Sequence, residues 1–262
     1  MVKLIMFKSF IYFMVILVAL TFLLGGGEHF EARTMYAYVS GYIGPQDGFY
    51  GSARIPKKID GINCYFVTNL ELVAAEATAA GWKAKLVPTP TDQSYLGCSM
   101  ASKRLKVFPQ SFVDGDYDFV IWFDNKFDPE PLEVRDILNT WNPTKAAAMH
   151  RHPFLSDQDG LGSVHREFEA SMAQDRYNKE KEHYQAYILS QINAGYHAEG
   201  YRHFTTCFII YNMHHTDTIK IQETWWEHIK ECGIQCQISM YFVAQRFRDT
   251  ITEFVGGGKC GG

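Results

Sequence analysis

One stretch of the sequence decides the fold: Asp118-Phe-Val-Ile-Trp-Phe-Asp124. The residues between the two aspartates are all apolar. An unbroken apolar run of this length is typical of a β-strand that is buried on both faces, as the central strands of parallel sheets are. The stretch therefore predicts the central strand of an α/β sheet.

The segments before this strand predict a β-α-β unit. Strand patterns cover residues 35–40, 64–68 and 83–87, and residues 70–80 form an Ala-rich helix that Asn69 can cap and Gly81 ends. Parallel strands joined by a crossover helix imply a sheet that is covered on both faces.

The segments after it continue the alternation without an internal repeat. Strands are predicted over residues 146–149 and 205–211, and helices over 132–138, 164–192, 219–231 and 238–247. We expect one α/β domain over residues 28–255 with a mostly parallel central sheet. A flexible, glycine-rich tail is predicted over residues 256–262.

Composition limits the classes of partner. Of the 262 residues, 47% are apolar and 15% aromatic, so the chain must fold around a core. The formal net charge of −4, without a long run of either sign, argues against a nucleic-acid partner.

The N-terminus predicts a membrane segment. Residues 10–24 are almost entirely apolar and follow Lys3 and Lys8, whereas Glu28 and Glu31 come after them. The positive-inside rule makes residues 1–27 a signal-anchor transmembrane helix of a single-pass type II protein, with the domain in a Golgi- or ER-like lumen. The alternative is a cleaved signal peptide and a secreted domain.

Asp124 is the leading candidate for the site, because ligands of open α/β sheets bind at the carboxyl ends of the strands. Beside the amide of Asn125, its carboxylate could hold a hard divalent cation whose other ligands are phosphate oxygens. The alternative is that Asp124 only caps the following turn.

Other residue types leave further alternatives open. Basic side chains that could neutralise a pyrophosphate are Arg104, Lys106 and Lys126. Histidines that could ligate a metal, as in a His-centred metallohydrolase, are His150, His152, His214 and His215. The six cysteines lack a zinc-type pair of CxxC motifs, and buried thiols with one disulfide are expected.

Several short motifs occur in a fixed order: Tyr38-Val-Ser-Gly-Tyr42, Tyr65-Phe-Val-Thr-Asn69, Arg104-Leu-Lys106, Asp116 to Asp124, His152-Pro153, Trp225-Trp226 and Gln235-Cys-Gln-Ile-Ser239. This order resembles the GT-A-type glycosyltransferases, and among them the TOD/MUCI-type glycosyltransferase-like family. The resemblance covers about residues 35–245.

The resemblance implies a single GT-A-like, Rossmann-related domain. Its activity would be the transfer of a hexose or pentose from a nucleotide-diphosphate sugar to a hydroxyl of a glycan or glycoprotein, with Mn²⁺ or Mg²⁺ as a possible cofactor. It places Asp124 at the metal and pyrophosphate or at the donor ribose, and puts His152 and Gln237 among the catalytic candidates. The residues that it places around the donor are Ser40, Gly41, Tyr42, Thr68, Asn69, Arg104, Lys106 and Asn125.

Two departures from the family pattern support a second hypothesis. Asn125 and Lys126 stand where many GT-A enzymes complete an Asp-x-Asp motif. Gln235-Cys236-Gln237 stands where the family usually has Arg-Asp-Gln, which removes a carboxylate. The alternative is a catalytically degenerate module of the same fold that binds a glycan or nucleotide.

Overall fold

A computed structural model describes residues 34–46, 53–127 and 131–254. From Met35 onward the described chain forms one compact unit. Its strands are β1 (Tyr36–Tyr42), β2 (Asn63–Thr68), β3 (Lys83–Leu86), β4 (Phe119–Phe123), β5 (Ala147–Arg151), β6 (Leu161–Ser163), β7 (Glu199–Arg202), β8 (Phe204–Asn212) and β9 (Ile251–Phe254). Its helices are α1 (Glu71–Ala79), α2 (Tyr95–Val107), α3 (Pro131–Asn139), α4 (Val164–Met172), α5 (Asp175–Asn178), α6 (Lys181–Asn193), α7 (Asp217–Cys232) and α8 (Cys236–Arg246).

Seven strands form the main sheet, in the order β3-β2-β1-β4-β8-β5-β9. Neighbouring strands are parallel except around β8, which runs antiparallel to both β4 and β5. Strands β6 and β7 form a separate antiparallel pair. The prediction of an α/β fold with a mostly parallel sheet is confirmed.

Strand β4 is the fourth of the seven, and all of its side chains are buried. Because alternate residues of a strand point to opposite faces, its apolar run supplies both halves of the core. Val120 and Trp122 pack in the layer that contains α2, α7 and α8. Ile121 and Phe123 pack on the other face, in the layer of α1 and α3. The prediction of a central strand here is confirmed.

The β-α-β unit is confirmed as β2-α1-β3, with β2 and β3 parallel. The prediction that Asn69 caps the helix is wrong, because Leu70 is the N-cap residue and makes no side-chain capping bond. The Asn69 amide instead bonds the backbone of Gly44 twice, accepting from Gly44 N at 3.0 Å and donating to Gly44 O at 2.7 Å. Asn69 thereby ties the segment that follows β1 to the end of β2.

Two further predictions need correction. The long helix expected over residues 164–192 is three helices, α4, α5 and α6, which turn around the buried side chains of Tyr177 and Tyr184. Helix α2 and strands β6, β7 and β9 were not predicted. Helix α2 escaped prediction because its polar residues, and not its apolar residues, recur at helical spacing.

The predicted signal anchor at residues 1–27 and the predicted tail at 256–262 lie outside the described residues. Among the helices that the structure does describe, none is long and apolar enough to cross a membrane.

Candidate functional site

A cleft of about 540 Å³ opens at the carboxyl ends of β1 and β4. The chain leaves β1 toward β2 on one side and later returns to β4 on the other side, so this is the point at which the strand order reverses. In open α/β sheets a crevice forms at such a point, because the two connections diverge there. Because β8 is antiparallel to β4, the beginning of β8 lies at the same edge.

Six parts of the chain line the cleft. They are the end of β1 (Gly41, Tyr42, Ile43), one face of α2 (Tyr95, Cys98, Ser99, Ser102, Lys103, Lys106), the end of β4 with its turn (Trp122, Asp124, Asn125, Lys126, Phe127), the β8 residues Thr206 and Cys207, and the α5 and α8 regions (Gln174, Arg176, Tyr177, Ile234, Gln235, Cys236, Gln237). Only glycine fits at position 41 of this cleft wall, because a Cβ there would clash with the carbonyl oxygen of Val67 at 2.5 Å.

The charge of the cleft is opposite to that of the whole chain. Lys103, Lys106, Lys126 and Arg176 line it, whereas Asp124 is the sole carboxylate among its described lining residues. The protein as a whole has a formal charge of −4. A concave, positively charged region on an acidic protein favours an anionic ligand.

Lys106 is the most buried of these cations, with 4% of the residue exposed. Its Nζ lies 2.9 Å from Asp124 Oδ1, 3.4 Å from Thr206 Oγ1 and 3.9 Å from Cys236 Sγ. Trp122 Nε1 donates to the same Oδ1 at 3.0 Å. A buried ammonium group is expected to have acceptors of this kind, because an unpaired charge would be costly to bury.

Cys236 is the first residue of α8 and a free, buried thiol. Although burial raises its pKa, the ammonium groups of Lys103 and Lys106 and a hydrogen bond from Thr206 outweigh that effect and hold the pKa of Cys236 below its usual value. Cys232, the last residue of α7 and four positions earlier in the chain, has its pKa raised by burial. The cleft therefore favours negative charge at the sulfur of Cys236.

Glu167 forms the centre of a buried polar cluster behind the Gln235–Gln237 wall of the cleft. Only 3% of the surface of Glu167 is exposed. Oε2 lies 3.0 Å from His203 Nε2 and 3.6 Å from His152 Nε2. Oε1 accepts from Gln235 Nε2 and Gln237 Nε2, both at 3.0 Å.

The backbone fixes the tautomer of His152. Its Nδ1 accepts hydrogen bonds from the N–H groups of Phe154 at 3.3 Å and Leu155 at 3.0 Å. The neutral ring therefore carries its proton on Nε2, the nitrogen that faces Glu167. Burial lowers the pKa of His152 to about 4, against the opposing effect of Glu167, so the ring is neutral at pH 7.

The structure brings seven of the predicted residues into the cleft: Gly41, Tyr42, Lys106, Asp124, Asn125, Lys126 and Gln237. His152 is not among the lining residues, but it reaches Gln237 through Glu167.

Four predicted donor-binding residues do not line the cleft. Ser40 is fully buried on the sheet face that carries Tyr38, and Thr68 is buried and accepts from the backbone of Leu70. Asn69 is held by Gly44, as described above. Arg104 points away on α2 and lines a second cavity of about 560 Å³. Arg104 is excluded by helix phase, whereas burial or hydrogen bonds to the backbone hold the other three away from the cleft, and a motif match alone reveals neither.

The other histidine candidates do not join His152. The ring of His150 packs edge-on against Phe254, with 5.4 Å between centroids. His214 pairs with Asp118 at 2.7 Å, at the opposite edge of the sheet from Asp124. The Nδ1 of His215 accepts from the backbone of Asp217.

Sequence reasoning missed Lys103, Arg176, Glu167 and His203. For Lys103 a signal was present, because the polar residues of α2 recur at helical spacing: Ser99, Ser102, Lys103 and Lys106. Glu167 and His203 had no comparable signal, because they meet only in the folded chain.

Neither candidate metal position fits a divalent cation. At Asp124 the ammonium of Lys106 already lies where a cation would bind, and Mg²⁺ or Mn²⁺ would need further oxygen ligands. His152, Glu167 and His203 offer ligand atoms within 4.8 Å of one another. However, the Nε2 of His152 carries a proton, and a protonated nitrogen cannot ligate a metal.

No family model matches the chain, and no curated protein matches it. Among solved structures, mouse xyloside xylosyltransferase 1 in its apo form gives a TM-score of 0.47 at 10% identity, over 84% of this chain and 85% of that one. The galactosyltransferase LgtC with donor and acceptor sugar analogs gives 0.43 at 13%, over 84% and 73%. The glycosyltransferase GlyE of Streptococcus pneumoniae, in its apo form, gives 0.40 at 9%, over 84% of this chain and 45% of that one. At these scores the similarities assign no family to this chain.

Proposed function

We propose that this chain is a glycosyltransferase that moves a sugar from a nucleotide-diphosphate sugar to an acceptor hydroxyl. The observation that carries the proposal is the positively charged cleft at the carboxyl ends of β1 and β4, in which the buried Lys106 pairs with the half-exposed Asp124. The family resemblance of the motifs points to the same reaction.

The cationic side chains supply what such a reaction requires. When the bond between the sugar and the diphosphate breaks, negative charge grows on the departing phosphate oxygens. Lys103, Lys106 and Arg176 can stabilise that charge, and the ammonium of Lys106 is fixed in advance by Asp124 and Thr206. Because this group is already desolvated and oriented, it loses little freedom when the ligand binds.

Lys106 takes the part that a divalent cation plays at an Asp-x-Asp motif, so the proposed reaction does not depend on a metal. Asp124 then has two roles. Its Oδ1 orients Lys106, and its Oδ2, which accepts no hydrogen bond from the described residues, is free to accept one from a ribose hydroxyl. The donor sugar, the acceptor and the base that takes the acceptor proton are left unassigned.

A second candidate function is binding of a nucleotide sugar or glycan without turnover. It is favoured by Cys236, which occupies the position between Gln235 and Gln237 where a carboxylate would be available as a base. The His-centred metallohydrolase is not proposed again, because His150 lies apart from His152 and the His152 tautomer opposes a metal.

Thermal-shift measurements on the full chain test the proposal, with UDP-, GDP- and CMP-linked sugars as ligands. A ligand that binds the native state raises the melting temperature by mass action. Release of free nucleotide on addition of oligosaccharide acceptors then separates transfer from binding alone.

The matched variants are Asp124→Asn and Asp116→Asn. Asp116 is exposed and lies before the opposite end of β4, so its variant should behave as wild type. We expect Asp124→Asn to reduce transfer at least tenfold, since the amide no longer holds Lys106 by charge. Unchanged transfer in Asp124→Asn would overturn the assignment, and binding without nucleotide release would favour the second candidate.

Type II membrane topology with a lumenal domain stays a prediction of the sequence, as does the secreted alternative.

A further inference from the structure

The Glu167 cluster has no role in the phosphate chemistry proposed above, yet it is one of the most completely bonded polar groups in the described chain. Its members come from four places: the end of β5 (His152), α4 (Glu167), the approach to β8 (His203) and the start of α8 (Gln235, Gln237). Their convergence on one buried carboxylate calls for a physical reason.

The groups that surround Glu167 are hydrogen-bond donors. The Nδ1 of His203 is buried and has no hydrogen-bond partner among the described residues, so the proton of this ring belongs on Nε2, which faces Glu167. His152 likewise turns its protonated Nε2 toward the carboxylate. Both glutamine amides use their NH₂ groups on Oε1. A carboxylate can accept from all of these donors at once, and such bonds offset part of the cost of burying it.

The carboxylate of Glu167 decides which way the two glutamine amides face. Because Nε2 of Gln235 and of Gln237 is directed at Glu167, the carbonyl oxygen of each amide faces away from it. Gln235 is further fixed by a 2.6 Å bond from its Nε2 to Ser171 Oγ. The carbonyl oxygens accept no hydrogen bond from the described residues, although both side chains line the cleft. This wall of the cleft therefore offers acceptors.

These acceptors border the cationic site directly. Cys236 lies between the two glutamines in the chain, and its Sγ is 3.9 Å from the Nζ of Lys106. A ligand whose phosphates contact Lys106 would place the group attached to those phosphates against the glutamines. Neutral carbonyl acceptors suit hydroxyl groups, which donate, and they reject carboxylates, which only accept.

We propose that Glu167 is a positioning residue that fixes the amides of Gln235 and Gln237 so that the cleft recognises the hydroxyl groups of a sugar. The inference rests on the proposed function and adds the selectivity of one wall of that site. The hydroxyls could belong to the sugar of the nucleotide donor or to the acceptor glycan, and binding measurements separate these two sources.

The experiment compares wild type, Glu167→Gln and the matched control Glu169→Gln, which changes an exposed carboxylate on the same helix. Isothermal titration calorimetry on the full chain measures the dissociation constants of UDP and GDP, and then of UDP-glucose, UDP-galactose, UDP-xylose and GDP-mannose. An amide at position 167 would present an NH₂ group to the donors and so release the orientation of the glutamines.

If the donor sugar is the group recognised, Glu167→Gln should weaken binding of the preferred nucleotide sugar by about tenfold and leave the free nucleotide diphosphate within about twofold. If the acceptor is recognised, both nucleotide constants should stay unchanged, and the KM for an oligosaccharide acceptor should rise by about tenfold at an unchanged kcat. Either result supports the proposal. Glu169→Gln should match wild type in all of these measurements.

Gln237→Met provides an independent variant in case Glu167→Gln does not fold. It keeps the length and apolar body of the side chain, leaves Glu167 bonded to Gln235 and His203, and removes one carbonyl acceptor. Gln237→Met should weaken nucleotide-sugar binding, or raise the acceptor KM, as selectively as Glu167→Gln does.

In the contrary outcome, the folded variants differ from wild type only in melting temperature, with the same nucleotide-sugar affinity and the same acceptor KM. That result would overturn this inference and leave the proposed function intact. Absence of binding of any nucleotide by the wild type would instead overturn the proposed function, and this inference with it.

Discussion

Acidification should destabilise the protein through His152. The folded chain holds this ring neutral, because burial lowers its pKa to about 4 from the ordinary value of 6.5 and its Nδ1 accepts two backbone hydrogen bonds. The groups that act on its charge are Glu167, which favours the protonated ring, and His203, His150 and Arg166, which oppose it. In the unfolded chain the ring protonates at its ordinary pKa.

The size and sign of the effect follow from linkage. Between pH 6.5 and pH 4 the unfolded state binds a proton that the native state does not, so the free energy of unfolding falls as the pH falls through that window. The contribution of His152 is present in full above pH 6.5, and lowering the pH from 7 to 5 should remove about 2 kcal/mol. The complete loss, reached below pH 4, is about 3 kcal/mol.

The assay is urea unfolding followed by tryptophan fluorescence at pH 7, 6 and 5, on wild type and on His152→Asn. An asparagine oxygen can accept the backbone N–H bonds in place of Nδ1, but the side chain does not protonate in this range. The variant should therefore lose about 2 kcal/mol less than wild type between pH 7 and pH 5. His183→Asn, which changes an exposed histidine, serves as the control and should follow wild type.

Parallel pH dependence in wild type and His152→Asn would refute this reasoning. It would mean that His152 protonates at its ordinary pKa in the folded protein.

Three other predictions concern neighbouring parts of the site. Asn69→Ala removes both hydrogen bonds to Gly44 and should lower the free energy of unfolding by about 2 kcal/mol, as measured by urea unfolding. A loss below about 0.5 kcal/mol would show that these two bonds contribute little. Trp225→Phe keeps the buried ring but loses the bonds to Cys236 O and Ser239 Oγ, so it should cost about 1 to 2 kcal/mol, and a stability equal to wild type would contradict those bonds. Iodoacetamide at pH 7 should alkylate Cys236 before Cys232, because the pKa of Cys236 is lowered and that of Cys232 is raised. UDP or GDP should slow the alkylation of Cys236. Peptide mass spectrometry measures the order of modification, and faster modification of Cys232 would refute the prediction.

The sheet could be predicted where local pattern and burial coincide. The run Phe119–Phe123 is apolar at every position because both of its faces are covered, so its sequence alone marks a central strand. Asp124 could be placed at the mouth of the site for the same reason, since the residue after a central parallel strand lies at the carboxyl edge.

Helix α2 shows why part of the site was missed. Its regular face is polar, because Ser99, Ser102, Lys103 and Lys106 point into the cleft rather than to bulk solvent. A search for an apolar stripe does not detect such a helix. Without α2, Arg104 and Lys106 looked equivalent, although their separation of two residues places them on different faces.

The Glu167 cluster was beyond the reach of sequence patterns for another reason. Its members are separated by as many as 85 positions, from His152 to Gln237. Nothing local distinguishes Glu167 from Glu169, since both belong to the same short helix. Only the packing of α4 against α8 buries one of the two and exposes the other.

In the proposed reaction the ammonium of Lys106, and not a divalent cation, holds the diphosphate. The most direct measurement is the dissociation constant of UDP or GDP, whichever nucleotide binds wild type, determined in excess EDTA for wild type, Lys106→Met and the exposed control Lys220→Met. We predict that wild type and Lys220→Met bind equally well with EDTA or with Mn²⁺, and that Lys106→Met binds about tenfold to hundredfold more weakly in both. Binding by wild type that requires Mn²⁺, together with unchanged affinity in Lys106→Met, would contradict the claim.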